Sequence, residues 1–592
     1  MLLDTADDLV GIDADKEAVS EQDAIKWRTE YYNKRLAGIN AKIEQGLYNG
    51  SLTKRGIGTL VLTGNNTYRG GTTVEEGTLL GFAESFGVTR QENIPDADGN
   101  GKVTVNGGVF GVMNKYNDTF TMKGELTSDA TADHSVDIAV NQGGTYGVVA
   151  GQDVNVNAGT LTFAEGAGIT LVSADKDVLV EAYKGNEVVQ GSVTAEVIVG
   201  ADKAVANSDY AFFDTAFEVD EASRTLTASL TRNDQTIEGL AASGTQAAVA
   251  SALFSNTGSA VFGDLVDASK NEMRSTLASL GSDLHLAAQN ATIVNSASLA
   301  RTIKDQANAF GMARHAELGN GAQLWATGSA SWTDVDAGGA SVDGDVDYYA
   351  GFIGAELPYG DGNKVGVFFG YGSTDFDASA DGKVESDDLH IGMYGQNDFE
   401  KVGVTYGFAY TTQDRDSKRN LVFRNTVGAN AVSYDANVFQ LFGEVSYKGL
   451  NTDAYQVEPY AGLSYFRTSA DSFNEHVAGH NVKTELEDQN IGALNLGVRG
   501  AMPFTAGSVA MKVKADVGYT QFFGDKEATA KMTIGDAGTA KLKGEELSGM
   551  GTVGLGIDAA LSKIVNFGVS YTGAFGSDIT SHGIGANLRI KF

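Results

Sequence analysis

The last 270 or so residues of this chain alternate between apolar side chains and polar or small ones. Residues 402–410 read VGVTYGFAY, and residues 509–519 repeat the alternation. A period of two places successive side chains on opposite faces, so each such segment predicts a β-strand with one apolar face. About twelve segments of this kind begin near residues 322, 347, 364, 385, 401, 432, 454, 482, 507, 545, 564 and 580.

The connections between these segments alternate in length. Every second connection is short, at residues 359–363, 396–400, 448–453, 503–507 and 561–563. Most of the others are longer and polar, near residues 335–346, 376–384, 413–430, 470–481 and 524–544. A soluble β-sandwich or small soluble barrel would also alternate along its strands, but neither explains this difference between the two sides. Segments of about ten residues with aromatic ends favour a membrane barrel. We therefore predict a twelve-stranded antiparallel outer-membrane barrel over residues 319–592.

The closing segment reads GIGANLRIKF. Its hydrophobic residues Leu588, Ile590 and Phe592 alternate with Arg589 and Lys591, so we expect the first set to face lipid and the second to face the lumen. We expect this strand to end on the short-turn, periplasmic side. A terminal Phe after alternating hydrophobic residues resembles the signal that the outer-membrane insertion machinery reads. Leu588, Ile590 and Phe592 are therefore the predicted membrane-insertion signal.

A helix is predicted directly before the barrel. Residues 283–309 contain neither Gly nor Pro, and Ser282 or Asp283 can serve as the N-cap. Small residues are frequent in this segment, and a narrow helix would fit along a small pore. A surface helix packed on a domain is the alternative, but the position just before the barrel favours the pore. The predicted pore-helix residues are Leu284, Ala287, Ala291, Asn295 and Leu299.

The upstream region predicts a β-solenoid. In residues 56–80, short β segments are separated by Gly and Asn turns, and similar pieces recur at residues 102–112, 143–163 and 191–199. Such segments suit the rungs of a parallel β-helix, which bury their apolar residues by stacking on their neighbours. The predicted fold class is thus all-β with a helical linker. The predicted domains are a helical connector or remnant of an upstream domain (1–50), a β-helix stem (51–240), a helical junction with the pore helix (241–318) and the barrel (319–592).

Composition excludes several kinds of protein. Cysteine is absent, which removes disulfides, thiolate chemistry and Cys-ligated zinc. The net charge of −33 would repel nucleic acid. The sequence contains no run of about 18 apolar residues, so we predict no transmembrane helix. The N-terminus lacks the basic and apolar regions of a signal peptide. We therefore expect the chain to be the C-terminal part of something longer.

Candidate sites for chemistry are weak. No GxSxG motif and no recognisable triad is present, so we predict no catalytic residue and no cofactor. His476 and His480 lie in a predicted loop, where solvated histidines are the simpler interpretation. Residues 96–103 resemble the first half of a calcium loop, with Asp96, Asp98 and Asn100 as candidate ligands. Gly107 stands where the twelfth-position acid belongs, which favours a polar turn.

The order of these parts resembles the type V autotransporters. The stretch at residues 52–79 is similar to the autotransporter-associated repeat, and residues 277–291 resemble the segment that leads into the translocator helix. The repeat is matched at Gly56, Gly58, Leu60, Leu62, Gly64, Asn66, Thr67, Tyr68, Gly70, Gly71, Thr72, Val74, Gly77, Thr78 and Leu79. The resemblance implies a monomeric barrel in outer-membrane lipid, inserted with the help of the insertion machinery and periplasmic chaperones. It also implies a passenger exported to the cell surface and a helix that then plugs the pore.

Two other functions remain open. The solenoid itself could be an adhesin, although it is short and shows no aromatic binding stripe. Alternatively, the chain could be the C-terminal portion of a secreted subtilisin-like serine protease. Residues 2–13 (LLDTADDLVGID) are weakly similar to the sequence that closes such catalytic domains. Some autotransporters cleave themselves at an Asn pair in the pore helix, but Asn290 and Asn295 are not adjacent here.

Overall fold

The computed structural model describes the chain except at residues 1–28, 31, 36, 39–40, 42–49, 65, 67, 69, 87–99, 115–134, 157–158, 174, 208, 309–320, 336–341, 360–361, 379–381, 453 and 592. The chain forms two compact units, Met1–Asp234 and Gln235–Phe592. Most of the predicted connector over residues 1–50 lies outside the described residues.

The first unit is a parallel β-helix, as predicted. Its successive strands lie mostly in alternation in two parallel sheets, each with six strands in the described part of the unit. One sheet contains β1 (Leu52–Lys54), β3 (Thr72–Val74), β5 (Asn100–Val105), β7 (Ser135–Val140), β10 (Thr160–Phe163) and β13 (Val197–Val199). The other contains β2 (Thr59–Leu62), β4 (Thr78–Phe82), β6 (Gly108–Met113), β8 (Gly144–Val149), β11 (Gly168–Val172) and β14 (Val205–Ala206). The remaining elements are β9 (Asp153–Asn155), α1 (Lys176–Gly185), β12 (Val189–Thr194), β15 (Phe213–Asp220) and β16 (Thr225–Arg232).

A row of aromatic rings runs through the interior of the β-helix. Phe86, Phe110, Tyr146 and Phe163 form a row in which successive ring centroids are 4.7, 6.5 and 6.3 Å apart. Edge-to-face and tilted rings at these distances are the favoured arrangements. Gly77 marks a close approach of two rungs, because it has φ of 71° and an added Cβ would lie 2.3 Å from a neighbouring carbonyl oxygen. A glycine is therefore required at this position, because a side chain would prevent the two rungs from packing together.

The second unit contains a closed antiparallel barrel. In the described part of the chain its twelve strands are β17 (Gln323–Val335), β18 (Gly344–Pro358), β19 (Lys364–Asp377), β20 (Lys383–Phe399), β21 (Val402–Phe423), β22 (Thr426–Tyr447), β23 (Gln456–Ala470), β26 (Gln489–Ala506), β27 (Val509–Gly524), β30 (Met550–Ala560), β31 (Val565–Phe575) and β32 (Ile579–Lys591). The closing strand β32 pairs with β17 along its whole length. The predicted twelve-stranded barrel is confirmed.

The outer surface of the barrel is an apolar belt with polar borders. Large hydrophobic side chains point outward from most strands, and Val517 is 63 % exposed. On one side the belt ends at Tyr349, Tyr371 and Tyr410. Asp375 continues the outward face beyond that border. An exposed apolar belt bordered by tyrosines is the surface that a lipid bilayer covers.

The long connections contain more strand than the sequence predicts. β21 and β22 have 22 residues each, and they meet at a tight turn rather than a long loop. Each strand is about 70 Å long at 3.3 Å per residue, whereas about ten residues cross a membrane. Two further connections, predicted as loops, fold into a four-stranded sheet that we call the loop sheet. It consists of β24 (Phe473–Val477), β25 (His480–Leu486), β28 (Glu527–Ile534) and β29 (Gly538–Glu546).

Four α-helices precede the barrel in the second unit's described residues. They are α2 (Gly244–Leu253), α3 (Ala260–Leu265), α4 (Lys270–Leu280) and α5 (Leu284–Asn308). Where the structure is described, none of the helices has the length and apolarity required to cross a bilayer.

Candidate functional site: the barrel lumen and its helix

Helix α5 lies inside the barrel. Asn295 Nδ2 donates a hydrogen bond of 3.3 Å to Thr374 Oγ1 on β19. Arg301 Nη2 lies 2.6 Å from Asp516 Oδ1 on β27. β19 and β27 are six strands apart in the ring of twelve, so they lie on opposite walls. A helix that contacts both walls occupies the lumen.

The direction of α5 through the barrel follows from the strands at its ends. Near its first turn, the Asp283 carboxylate accepts a hydrogen bond of 2.9 Å from the Val342 backbone N–H, in a long connection. At its last residue, Asn308 hydrogen-bonds Thr405, which lies three residues after the start of β21 beside a short turn. The chain therefore runs through the lumen from the long-hairpin side to the short-turn side. Residues before α5 emerge among the long hairpins.

Apolar collars surround the half of α5 that lies toward the long hairpins. On one wall, Leu284, Ala288 and Ala291 pack in a buried cluster whose barrel members are Val342, Val346, Phe376, Ala378 and Val384. On the other wall, Ile293 and Val294 pack in a cluster with Phe466, Ile491, Ala493, Phe522, Leu547 and Met550. The small residues of the helix leave room for the aromatic rings of the barrel. The helix and the barrel wall thus pack closely on both sides of this half of the lumen.

Charged groups fix the other half of α5. Glu444 on β22 accepts a hydrogen bond of 2.6 Å from Arg499 and one of 3.1 Å from Asn308 of the helix. Lys304 of the helix lies 3.6 Å from the same carboxylate. The Lys304, Glu444 and Arg499 side chains are at most 7 % exposed. Burying such charges is tolerable only when each has a partner, so the helix and the wall stabilise each other here.

A second buried pair joins the helix to the barrel closure. Arg589 on the closing strand β32 forms an ion pair with Glu356 on β18. Its Nη2 also donates a hydrogen bond of 2.5 Å to the Gln306 carbonyl oxygen near the end of α5. Because β32 also pairs with β17, Arg589 connects the seam of the barrel to the helix inside it.

A polar cavity of about 230 Å³ remains beside the helix. The Leu299 side of α5 packs against aromatic residues of β17 to β22, including Trp325, Phe352 and Phe368. The opposite side faces the cavity, whose lining includes Arg301, Asp305, Lys514, Asp516 and Asp558. Polar walls of this kind hold water.

The structure places the predicted pore-helix residues in three surroundings. Leu284 and Ala291 belong to an apolar collar, and Ala287 packs against it. Asn295 lines the cavity and hydrogen-bonds the wall. Leu299 lies in the aromatic cluster on the other side of the helix. The buried partners Glu444 and Glu356 were not predicted, because the register between distant strands decides them and no local sequence signal reports it. The contact of the half-buried Gln306 with Arg589 was not predicted either.

Other predicted residues are distributed over the molecule. Leu588 points outward and is 37 % exposed, Arg589 points inward, and Ile590 is half-buried. Phe592, Asp96 and Asp98 lie outside the described residues. Asn100 begins β5, and its side chain is also outside the description. His476 and His480 flank the turn of the β24–β25 hairpin, so they belong to strands rather than to a loop.

Family models match both units. Residues 324–572 match the model described as the autotransporter beta-domain, and residues 52–80 match the passenger-associated-transport-repeat. The first match covers most of the barrel, and the second covers the first two turns of the β-helix. The chain carries an autotransporter β-domain. This β-domain is an outer-membrane barrel of the translocator type, and α5 lies in its lumen.

Curated relatives and solved structures extend the comparison. The chain is 24 % identical over 603 residues to an extracellular serine protease of Serratia marcescens, across 92 % of this chain and 56 % of that protein. The chain therefore spans about half the length of this relative. The translocator domain of the autotransporter NalP from Neisseria meningitidis is 12 % identical, with a TM-score of 0.41 over 52 % of this chain and 99 % of that one. The β-domain of the Bordetella autotransporter BrkA is 19 % identical, with a TM-score of 0.37 over 46 % of this chain and all of that one.

The matched domain is a translocator domain. Across the described residues, no group of three or more His, Cys, Asp or Glu side chains could hold a metal ion. The charged side chains of the lumen pair with each other and with α5, and these pairs position the helix in the barrel.

Proposed function

We propose that this chain inserts into the bacterial outer membrane through its β-domain, exports its own N-terminal passenger and anchors it at the cell surface. The direction of α5 carries the proposal. The helix ends among the short turns, and the chain before it emerges among the long hairpins. Short turns face the periplasm in outer-membrane barrels. The β-helix unit, which precedes α5 in the chain, then belongs outside the cell.

Helix α5 of the same chain blocks the lumen of the barrel once the passenger has been exported. The apolar collars lie toward the outside, and the buried charges hold the helix from the periplasmic side. We propose that α5 is the plug that remains after export. The partners of this process are outer-membrane lipid, the barrel-insertion machinery and periplasmic chaperones, with a monomeric barrel as the final form.

A graded truncation tests insertion and export together. Removing Phe592 alone should lower the amount of folded barrel, because the proposed insertion signal of Leu588, Ile590 and Phe592 loses its last member. Removing residues 579–592 should abolish display of the β-helix on intact cells, because β32 no longer closes the ring with β17 and β31. Lys591→Ala is the matched control and should insert normally. Surface display without β32 would contradict the proposal.

A secreted serine protease is the second candidate for the whole protein. The similarity to the Serratia marcescens extracellular serine protease over 92 % of this chain favours it. Sequencing the gene upstream of the Met1 codon and assaying the exported product separate the candidates. A His, Asp and Ser constellation with activity blocked by a serine-protease inhibitor supports the protease. Further β-helix repeats with binding to host surfaces support the adhesin instead.

A further inference from the structure

Helices α2, α3 and α4, which we call the junction helices, are too short to be stable alone. They have 10, 6 and 11 residues, whereas isolated helices below about 12 residues are marginal in water. Each begins at a serine, Ser243, Ser259 or Ser269, whose side chain accepts a hydrogen bond from the first turn. Their apolar residues are nevertheless fully buried. This set is Val249, Leu253, Val261, Phe262, Leu265, Met273, Leu277 and Leu280.

The β28–β29 hairpin of the loop sheet packs closely against these helices at two glycines. An added Cβ at Gly535 would lie 2.8 Å from Val261, and one at Gly538 would lie 2.8 Å from the Ala252 carbonyl oxygen. Side chains at these positions would hold the helices away from the hairpin. The two glycines therefore permit the close approach.

The turn of the same hairpin also binds the start of α3. The Asp536 carboxylate accepts a hydrogen bond of 2.8 Å from the Ala260 N–H and one of 3.4 Å from the Val261 N–H. These backbone bonds, the Ala260 bond first, hold the pKa of Asp536 below its usual range. Ser255 Oγ donates a hydrogen bond of 2.9 Å to the Ala537 carbonyl oxygen. Polar and apolar contacts thus converge on one short turn.

The tip of the β21–β22 hairpin forms ion pairs and hydrogen bonds with the other side of the junction helices. Arg424 Nη1 lies 2.6 Å from Asp267 Oδ1, and Arg424 Nη2 lies 3.4 Å from Glu272 Oε2. The Arg424 backbone N–H donates a hydrogen bond of 2.8 Å to Thr276 Oγ1. The Val422 N–H donates one of 2.7 Å to Ser279 Oγ.

We propose that the loop sheet and the Arg424–Asn425 tip form a latch that captures the junction helices of the same chain on the cell exterior and holds the passenger there. The partner that this surface fits is residues 243–280. The inference rests on the proposed export function, because that function places the long hairpins outside.

The order of the chain supports a latch. The junction helices precede α5, so in the final structure they lie on the outer side of the plug. Without the latch their apolar face would be open to water and the short helices would unfold. Folding on the latch therefore releases free energy only after this segment has left the pore. That free energy opposes return of the passenger.

Gly538→Ala tests the latch, with Gly263→Ala as the matched control. An added Cβ at Gly263 in α3 meets no atom within 4 Å, whereas one at Gly538 meets the backbone of α2. The readout is trypsin cleavage at the exposed Lys270 and Arg274 of α4, in outer membranes containing the full chain. We expect cleavage about tenfold faster in Gly538→Ala and unchanged in Gly263→Ala. Arg424→Gln provides a second variant that removes the ion pairs without adding volume.

Display on intact cells is measured alongside cleavage. Both latch variants should retain a heat-modifiable barrel but show less accessible β-helix at a fixed time after induction. Equal cleavage in all variants would overturn the latch, and so would faster cleavage with unchanged display. Loss of the heat-modifiable barrel in the wild-type chain would instead contradict the proposed function.

Discussion

At the scale of single residues, buried charge decides how the barrel and its helix stay together. Arg589 and Glu356 are 4 % and 1 % exposed, and Lys364 also lies 3.2 Å from Glu356. The sequence predicts that Arg589 faces inward, because alternation along β32 requires it. The partner on β18 could not be predicted, since it depends on how the sheet closes.

Arg589→Ala should destabilise the β-domain by about 3 kcal/mol, because it leaves the Glu356 carboxylate buried without its main partner. Arg467→Ala is the matched control. The Arg467–Asp488 pair is 57 % and 45 % exposed, so water screens it and its loss should cost far less stability than the loss of the buried pair. The measurement is urea-induced unfolding of the purified full chain in detergent. Equal effects of the two substitutions would contradict the structural role of Arg589.

Glu487 should make the loop sheet sensitive to acid. The Thr529 hydroxyl and then Lys531 stabilise its carboxylate and lower its pKa to about 2. A lowered pKa contributes stability above the unfolded value near 4.3, and that contribution is lost as pH falls toward 2. The protection factors of the amides in β25 and β28, which correct exchange rates for the intrinsic effect of pH, should therefore fall between pH 5 and pH 3 more in the wild type than in Glu487→Gln. The same fall in both proteins would exclude Glu487 as the cause.

At the scale of elements, alternation predicts most of the barrel but not the loop sheet. Strands such as β19 and β21 alternate large apolar residues with Gly and Thr, so their period is plain. In β28 the buried positions include Ala528 and Ala530, which carry little hydrophobic signal. The eighth barrel strand begins at Gln489 rather than near residue 482, because residues 480–486 form β25.

The apolar collar at the outer end of α5 should control leakage through the pore. Ala288→Asp places a charge in the buried apolar cluster around Leu284. Because burying a charge among apolar side chains is unfavourable, this end of the helix should detach from the barrel wall. We expect a higher single-channel conductance in planar bilayers than for the wild type. Thr302→Asp is the control, since Thr302 faces the cavity. Equal conductance of the two variants would place the seal elsewhere.

At the scale of the whole molecule, the two units build their interiors in different ways. The β-helix builds its interior by stacking rungs, whereas the β-domain builds its interior around a helix of the same chain. Both architectures could be predicted from strand periodicity and glycine punctuation. Side-chain partners that cross the lumen or join the junction helices to the latch depend on register and closure, which local sequence does not encode.

The proposed function places the β-helix outside the cell and the short turns of the barrel in the periplasm. Two protease sites inserted separately into the full chain, produced in its native host, test this arrangement. One site follows Ala222 in the turn between β15 and β16, and the other follows Leu450 in the turn between β22 and β23. On intact cells we expect cleavage after Ala222 and protection after Leu450, with both sites cut once the outer membrane is permeabilised. Protection after Ala222, or cleavage after Leu450 on intact cells, would contradict the proposed function.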